Sequence, residues 1–368
     1  MENKLNCEGC GAELQTEKPE EMGFIPKSSF EKNNLLCKRC FQIRHYNKNE
    51  AVPLDSNDFL QMISKISKTD SLVVHLIDIF DAEGTLLKSL PRIVGDNPIL
   101  LVGNKVDLLP KSTNRRKLKN WLFAKAKEAG LRIKDVFLIS SIKGHQLDEL
   151  AMEMESNRNN KDIYVVGVTN VGKSTFINQF IKRSTGVKEA ITTSYFPGTT
   201  LGFIQIPLDK NSALIDTPGI VNHSQMAHYL SKKDLKKITP QKEIKPRNYQ
   251  LESGQTLFIG GLGRLDYVKG DKQTFVCYFA NELPIHRTKR INADSLYERQ
   301  KGALLAPPDE DTLEQLPELS QQSYRIKEGY IDVVFPGLGW IAIVNGDATI
   351  EAYSPSGINI SIRESFTK

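Results

Sequence analysis

The sequence predicts an α/β protein in three parts: a short cysteine-rich start, a parallel sheet with covering helices, and a β-rich end. Three observations carry that expectation. Two CxxC pairs, Cys7/Cys10 and Cys37/Cys40, fall near the start. From about Asp70 short apolar runs alternate with charged helical stretches, the pattern of strands buried on both faces with helices laid over them. After about Gln255 apolar and β-branched runs are punctuated by Gly and Pro, which reads as a set of short strands joined by turns. A length of 368 residues suits two or three domains, expected at 1–55, 56–225 and 226–368. With 39% hydrophobic and 25% charged residues, disorder, collagen and coiled coil are poor fits. No apolar run approaches the roughly 18 residues that span a bilayer, and neither a secretory leader nor an import presequence is read, so a cytoplasmic protein with no membrane partner is expected.

Taking the parts in order, each CxxC can form a tight turn that aims two thiolates at one metal. Two such knuckles, Cys7, Cys10, Cys37 and Cys40, give the four sulfurs of a closed Zn2+ site. Set against zinc are disulfides, which a reducing compartment disfavours, and a redox CxxC, which needs no second copy. So short a segment buries little core, and metal binding would supply most of its folding free energy. Lys38, Arg39, Arg44 and Lys48 with Phe41 and Tyr46 interleaved suit phosphates and stacked bases. Strands are expected at 72–77, 99–102, 136–139, 163–166, 202–206 and 213–215, with a helix at 116–129 closed by Gly130. Further strands are expected at 256–259, 273–279, 330–335, 340–344, 348–353 and 358–362, while Gly260–Gly263 and Pro336–Gly339 read as turns. Cys277 reads as a buried small hydrophobe. The net charge of +5 is concentrated in 231–250, where Lys232, Lys233, Lys236, Lys237, Lys242, Lys245 and Arg247 face only Asp234 and Glu243. Such a run either attracts phosphate backbones or is a solvated linker.

The chemistry is in four short patterns. Gly167-Val-Thr-Asn-Val-Gly172-Lys173-Ser174 is a full GxxxxGK[ST] match placed after a strand and before a helical run. There the backbone N–H groups of Gly167, Asn170, Val171, Gly172 and Thr175 close around phosphates, Lys173 neutralises the β and γ oxygens, and the Ser174 hydroxyl ligates Mg2+. Asn104-Lys105-Val106-Asp107 also follows a strand and reads as a guanine-recognising loop. The Asp107 carboxylate accepts from N1–H and the 2-amino group of guanine, a donor pair that adenine lacks; Lys105 can lie over the ring and Asn104 braces the loop. Ser140-Ser141-Ile142 resembles the SAK loop whose backbone receives the guanine oxygen, with Ser and Ile in place of the usual Ala and Lys. Asp216-Thr-Pro-Gly219 ends a strand: Asp216 holds Mg2+ through water, and the Gly219 amide bonds the γ phosphate and releases after hydrolysis. In Pro197-Gly-Thr-Thr200, Thr200 is the choice for the threonine that caps Mg2+ in the GTP state, with Thr199 its nearest rival. Lys173, Thr200, Gly219 and Asn170 are the candidate catalytic residues.

Together these motifs resemble a translation-factor-type GTPase, but in reversed chain order: the base-reading loops precede the phosphate loop. With cysteine knuckles ahead, the chain is similar to the circularly permuted GTPases of the YqeH type. That resemblance implies a circularly permuted P-loop GTPase domain with an N-terminal zinc knuckle and a β-rich C-terminal domain, GTP and GDP as ligands, and a role in small ribosomal subunit assembly. Ribosomal RNA would be held by the flanking domains, with ribosomal proteins as further partners. Asn170 resembles the asparagine that binds K+ beside the phosphates in several assembly GTPases; its alternative is a loop stabiliser. Ile220 stands where a Ras-like protein has its water-orienting glutamine, so a slow enzyme is expected, the alternative being a non-hydrolysing, guanine-nucleotide-sensing scaffold for protein partners. Asp78-Ile-Phe-Asp81 is a weaker family feature to which the sequence assigns no role.

Overall fold

The computed structural model describes residues 5–7, 12–19, 21, 23–27, 35–38, 41, 64–185, 204–217, 219 and 226–367. The chain packs as two compact units, one of residues 1–106 and 119–222, the other of 107–118 and 223–368.

Up to residue 216 the elements run β1 (Leu72–Asp78), α1 (Ala82–Thr85), α2 (Leu90–Val94), β2 (Ile99–Asn104), α3 (Arg115–Glu128, its first four residues counted with the second unit), β3 (Ile133–Leu138), α4 (Leu147–Arg158), β4 (Ile163–Val166), α5 (Lys173–Thr185), β5 (Ile204–Pro207) and β6 (Ala213–Asp216). Six strands form one sheet in the order β3-β2-β1-β4-β6-β5. β3, β2, β1, β4 and β6 are mutually parallel, and β5 joins antiparallel to β6 at the edge. β2, and β1 apart from His75, read as apolar runs because internal strands of a parallel sheet are covered on both faces, and every residue of β2 is buried. α4 and α5 cover the sheet through Leu147, Leu150 and Met154 and through Phe176, Ile177 and Ile181, all in one buried cluster with Val74, Leu76, Val102 and Val165. The strands before the phosphate loop lie to one side of β4 and those after it to the other.

The second unit contains α6 (Lys232–Ile238), α7 (Ala293–Gln300), α8 (Glu310–Gln315) and ten strands: β7 (Arg247–Leu251), β8 (Gln255–Ile259), β9 (Gly263–Lys269), β10 (Gln273–Phe279), β11 (Ile285–Lys289), β12 (Leu319–Ile326), β13 (Ile331–Phe335), β14 (Gly339–Ile343), β15 (Ala348–Pro355) and β16 (Ser361–Glu364). They form two antiparallel sheets, β16-β13-β14-β10-β7 and β11-β8-β9-β15-β12. Alternate residues of both sheets share one core, Phe275, Phe279, Val333 and Ile341 from the first with Leu257, Leu265, Tyr267 and Ile350 from the second, so the unit is a sandwich. Cys277 is in this core, and burial pushes its thiol up to about 12. The sequence expectation missed β7, β9, β11 and β12. β9 carries Arg264 and Asp266, buried and ion-paired at 2.6 Å, and β11 and β12 alternate toward solvent, so none presents an apolar run. The basic stretch 231–250 is not a bare linker: it holds α6 and β7, and Ser231 caps α6 by accepting from the Asp234 N–H. The strand expected at 358–362 forms at Ser361–Glu364 instead.

Candidate nucleotide site

A parallel sheet aligns the carboxyl ends of its strands along one edge, and ligands of such sheets bind in the crevice there. Asp78 ends β1, Asn104 ends β2 and Asp216 ends β6, while Gly167 follows directly on β4 and Ser140 follows β3 after Ile139. All of these motifs therefore meet at one edge, whatever their order in the chain.

The phosphate loop depends on glycine at two points. A Cβ on Gly167 would stand 2.6 Å from the Leu76 carbonyl oxygen on β1, and Gly172 has φ +90° and a Cβ there would run into the Asn104 side-chain amide. Only glycine permits either approach. Val168 and Val171 plug into the core beneath the loop, Asn170 takes φ 65°, and α5 starts at Lys173, so its free N–H groups face the loop. Ser174 is half-buried and Thr175 exposed on the first turn. Lys173 is buried, and its ammonium bonds the Asp216 carboxylate and the Thr217 carbonyl. Thr217 is in turn fixed to the phosphate-loop strand, its hydroxyl donating to the Val165 carbonyl at 2.8 Å. Gly219 is packed so closely that a Cβ there would meet the Thr169 side chain at 3.2 Å. Thr217 and Gly219 are thus packed against the phosphate loop and the strand that leads into it. The carboxylate of Asp216, the Ser174 hydroxyl and the Lys173 ammonium are the donor set that fits a Mg2+-bound triphosphate.

The base-reading loops are tied to the same wall by Asn104. Its Nδ2 donates to the Val171 carbonyl at 2.9 Å, and its Oδ1 accepts from the Ser141 N–H at 3.0 Å and from the Ser141 hydroxyl at 2.9 Å. One buried amide thereby joins three motifs. Lys105, at φ 68°, sends its Nζ to the Asn170 carbonyl at 2.7 Å and to Asp78 Oδ2 at 2.6 Å. The Lys105 ammonium is thereby tied to the end of β1 and to the phosphate loop. Asp78, to which the sequence assigned no role, is the partner of Lys105. The register pairs Asp78 with Asn104 across β1 and β2, and the Asp78 carboxylate is held by the Phe80 N–H at 2.9 Å. Sequence alone shows an aspartate ending a strand; its partner requires knowing that β1 lies beside β2. Asp107 is half-buried on the short turn Val106–Leu108. Ser140 is buried and accepts from the Lys143 N–H at 3.0 Å, while Ile142 turns its side chain out at 70% exposure, as a loop that works through its backbone allows.

His75 also serves this edge. It lies on β1 opposite Val166, the last residue before the phosphate loop. Burial pushes its imidazole down to about 4, opposed by its bond to the Val166 carbonyl at 3.3 Å. Its Nε2 accepts from the Leu87 N–H at 3.1 Å, so the neutral ring with the proton on Nδ1 satisfies both neighbours.

Cys10, Cys40, Thr199 and Thr200 lie outside the described residues. Cys7 and Cys37 are brought together: both are buried in a small cluster with Ala12, Leu14, Ile25 and Leu36, and the Cys37 N–H donates to Cys7 Sγ at 3.2 Å. A site with a lysine-bearing phosphate loop, a DxxG strand end and an NKxD loop braced together is that of a P-loop GTPase, and the strand order makes this one permuted.

Comparison with known proteins agrees. Residues 272–366 match the family described as YqeH-like, C-terminal, and residues 162–249 match the family described as 50S ribosome-binding GTPase. The protein described as "Uncharacterized protein YqeH" of Bacillus subtilis (strain 168) is 51% identical over 98% of this chain and 99% of its own length. NO-associated protein 1, chloroplastic/mitochondrial, of Arabidopsis thaliana is 30% identical over 92% of this chain and 69% of its own length. Among solved structures, GNP-bound YlqF from T. maritima is 21% identical over 46% of this chain and 60% of that one, with a TM-score of 0.29, too low to bear on the fold. The chain belongs to the YqeH family of circularly permuted GTPases.

Proposed function

We propose that this chain is a slow GTPase acting in assembly of the small ribosomal subunit, binding ribosomal RNA in a manner set by its bound nucleotide. The observation that carries the reading is the Asn104 amide, bonded at once to the phosphate loop and to the Ser140–Ile142 loop. A guanine read by Asp107 would then have its phosphates delivered to Lys173. Ser174, Asp216 and Thr200 would hold Mg2+, which supplies positive charge to the β and γ oxygens. Cys7, Cys10, Cys37 and Cys40 would hold a structural Zn2+; the fit is supported by a backbone N–H already directed at Cys7 Sγ, as thiolate ligands receive. Asn170 would place K+ beside the phosphates, so hydrolysis should run faster in potassium than in sodium, and equal rates would remove that assignment.

One family description names the 50S subunit, whereas the small-subunit role follows from the resemblance, so the test compares both. Co-sedimentation with purified small and large subunits, each with GDP and with a non-hydrolysable GTP analogue, should show nucleotide-dependent binding to the small subunit. Binding to the large subunit alone, or binding indifferent to nucleotide, would contradict the proposal. Ile220, which cannot hydrogen-bond a nucleophile, favours a second reading as a scaffold without turnover. Phosphate release in a single turnover with small subunits present decides between them.

A further inference from the structure

We infer that α3 carries on its solvent side a face for single-stranded RNA, made of residues other than those of the cysteine knuckles and of the 231–250 stretch. α3 is preceded by Asn114, whose side chain accepts from the Lys117 N–H at 3.0 Å, and buries Leu118, Leu122 and Ala126. Those positions are four residues apart, so they define one face, and the opposite face is Arg116, Asn120, Phe123 and Lys127, at helical spacings of four, three and four. Phe123 is 44% exposed, and it is the one aromatic of this helix turned so far outward; Arg116, Lys117, Asn120 and Lys127 are exposed around it.

A solvated helix face normally mixes both signs of charge, but here the acids are already paired. Glu128 pairs with Lys125 at 2.9 Å and Asp135 with Lys119 at 2.9 Å. Arg116, Lys117 and Lys127 pair with no carboxylate among the described residues. Arg132 and Lys134, exposed at the start of the edge strand β3, continue the positive charge past the end of the helix. β3 is adjacent, since Lys119 bonds Asp135 and covers the Phe137 ring at 5.5 Å. Unpaired cations about 16 Å apart along the helix, with an exposed ring between them, match a strand that sets its phosphates on the cations and one base on the ring. An acidic protein segment would gain nothing from Phe123 unless it brought an apolar side chain, so the chemistry favours RNA.

The choice of RNA rests on the proposed function, and the test separates the two. The probe is a fluorescein-labelled mixed-sequence single-stranded RNA of about 12 nucleotides, titrated by anisotropy into the full-length, GDP-loaded protein at several salt concentrations. Phe123→Ala should weaken binding about tenfold. The triple variant Arg116→Glu, Lys117→Glu, Lys127→Glu should flatten the log–log salt dependence by about two, near 0.7 for each phosphate that is no longer neutralised. Unchanged GDP affinity shows that each variant is folded; should the reversals fail that check, the neutral set Arg116→Gln, Lys117→Gln, Lys127→Gln carries the same expected slope change. Wild-type affinity and slope in these variants, alongside weakened binding in Lys232→Glu, Lys233→Glu, would overturn the α3 face and leave the RNA-binding reading standing. No RNA binding by the wild type would overturn both. Normal RNA binding by the α3 variants together with failure to bind small subunits would make the face a protein dock and overturn the inference.

Discussion

Asn104 and Lys105 show how much a single position can hold. The Asn104 amide is buried and fully used, with its donor on the phosphate loop and its acceptor on Ser141. Replacing it would strand the Val171 carbonyl and the Ser141 N–H together, each at a cost of about 1–3 kcal/mol. His75 offers a test of this edge by pH. Its folded pKa of about 4 lies below the ordinary 6.5, so between those values the unfolded chain takes up a proton that the folded protein refuses. Stability is therefore complete above pH 6.5 and falls as pH drops toward 4, by an upper bound of about 3 kcal/mol. Urea midpoints measured at pH 7 and pH 5 should fall further for the wild type than for His75→Gln; equal falls would mean that His75 is not held neutral. At this scale the sequence was partly legible. The bracing role of Asn104 follows from the NKxD pattern, but the Lys105–Asp78 pair joins residues whose neighbourhood depends on strand order, which no local pattern contains.

Among elements, strands covered on both faces were easy to read and the others were not. β1, β2 and β4 stand out as apolar runs because helices cover a parallel sheet on both sides. β9 and β12 were missed because their outward positions hold charge or polar groups. β9 buries an Arg264–Asp266 pair, with the Arg264 guanidinium 4.5 Å from the Tyr353 ring centroid, and such a strand looks like a loop until its cover is known. The cysteine knuckles belong to this scale too. Among the described residues Cys7 and Cys37 share a small cluster with Ala12, Leu14, Ile25 and Leu36. Metal analysis of the purified protein should find one Zn2+ per chain, and Cys7→Ser with Cys37→Ser should abolish it and expose the amino-terminal segment to protease. A metal-free wild type with the same protease resistance would contradict the zinc assignment.

For the whole molecule, permutation changes which parts are joined without changing where the site is, because a parallel sheet collects its carboxyl ends at one edge however the chain enters it. What permutation alters is continuity. In this order the Asp216–Gly219 segment leads on toward the second unit, where Met226 is already buried in the sandwich core. The residues after the guanine loop are also bound within that unit, the Ile244 N–H donating to the Leu108 carbonyl at 2.8 Å and the Lys111 N–H to Glu243 at 2.9 Å. Both loops are thus followed in the chain by segments of the sandwich unit. The reversed motif order was legible in the sequence; the attachment of 108–111 to 243–244 was not, being a pairing of two irregular segments distant in the chain.

Displacement of fluorescent GDP from the full chain is the most direct test that Asp107 and Lys173 serve one guanine nucleotide. GTP should compete and ATP should not, Lys173→Ala should lose affinity for both GDP and GTP, and Asp107→Asn should transfer preference to xanthine nucleotides, whose C2 carbonyl meets an amide donor where guanine has an amine. Equal competition by ATP, or Asp107→Asn with unaltered base preference, would show that the two residues do not share a ligand.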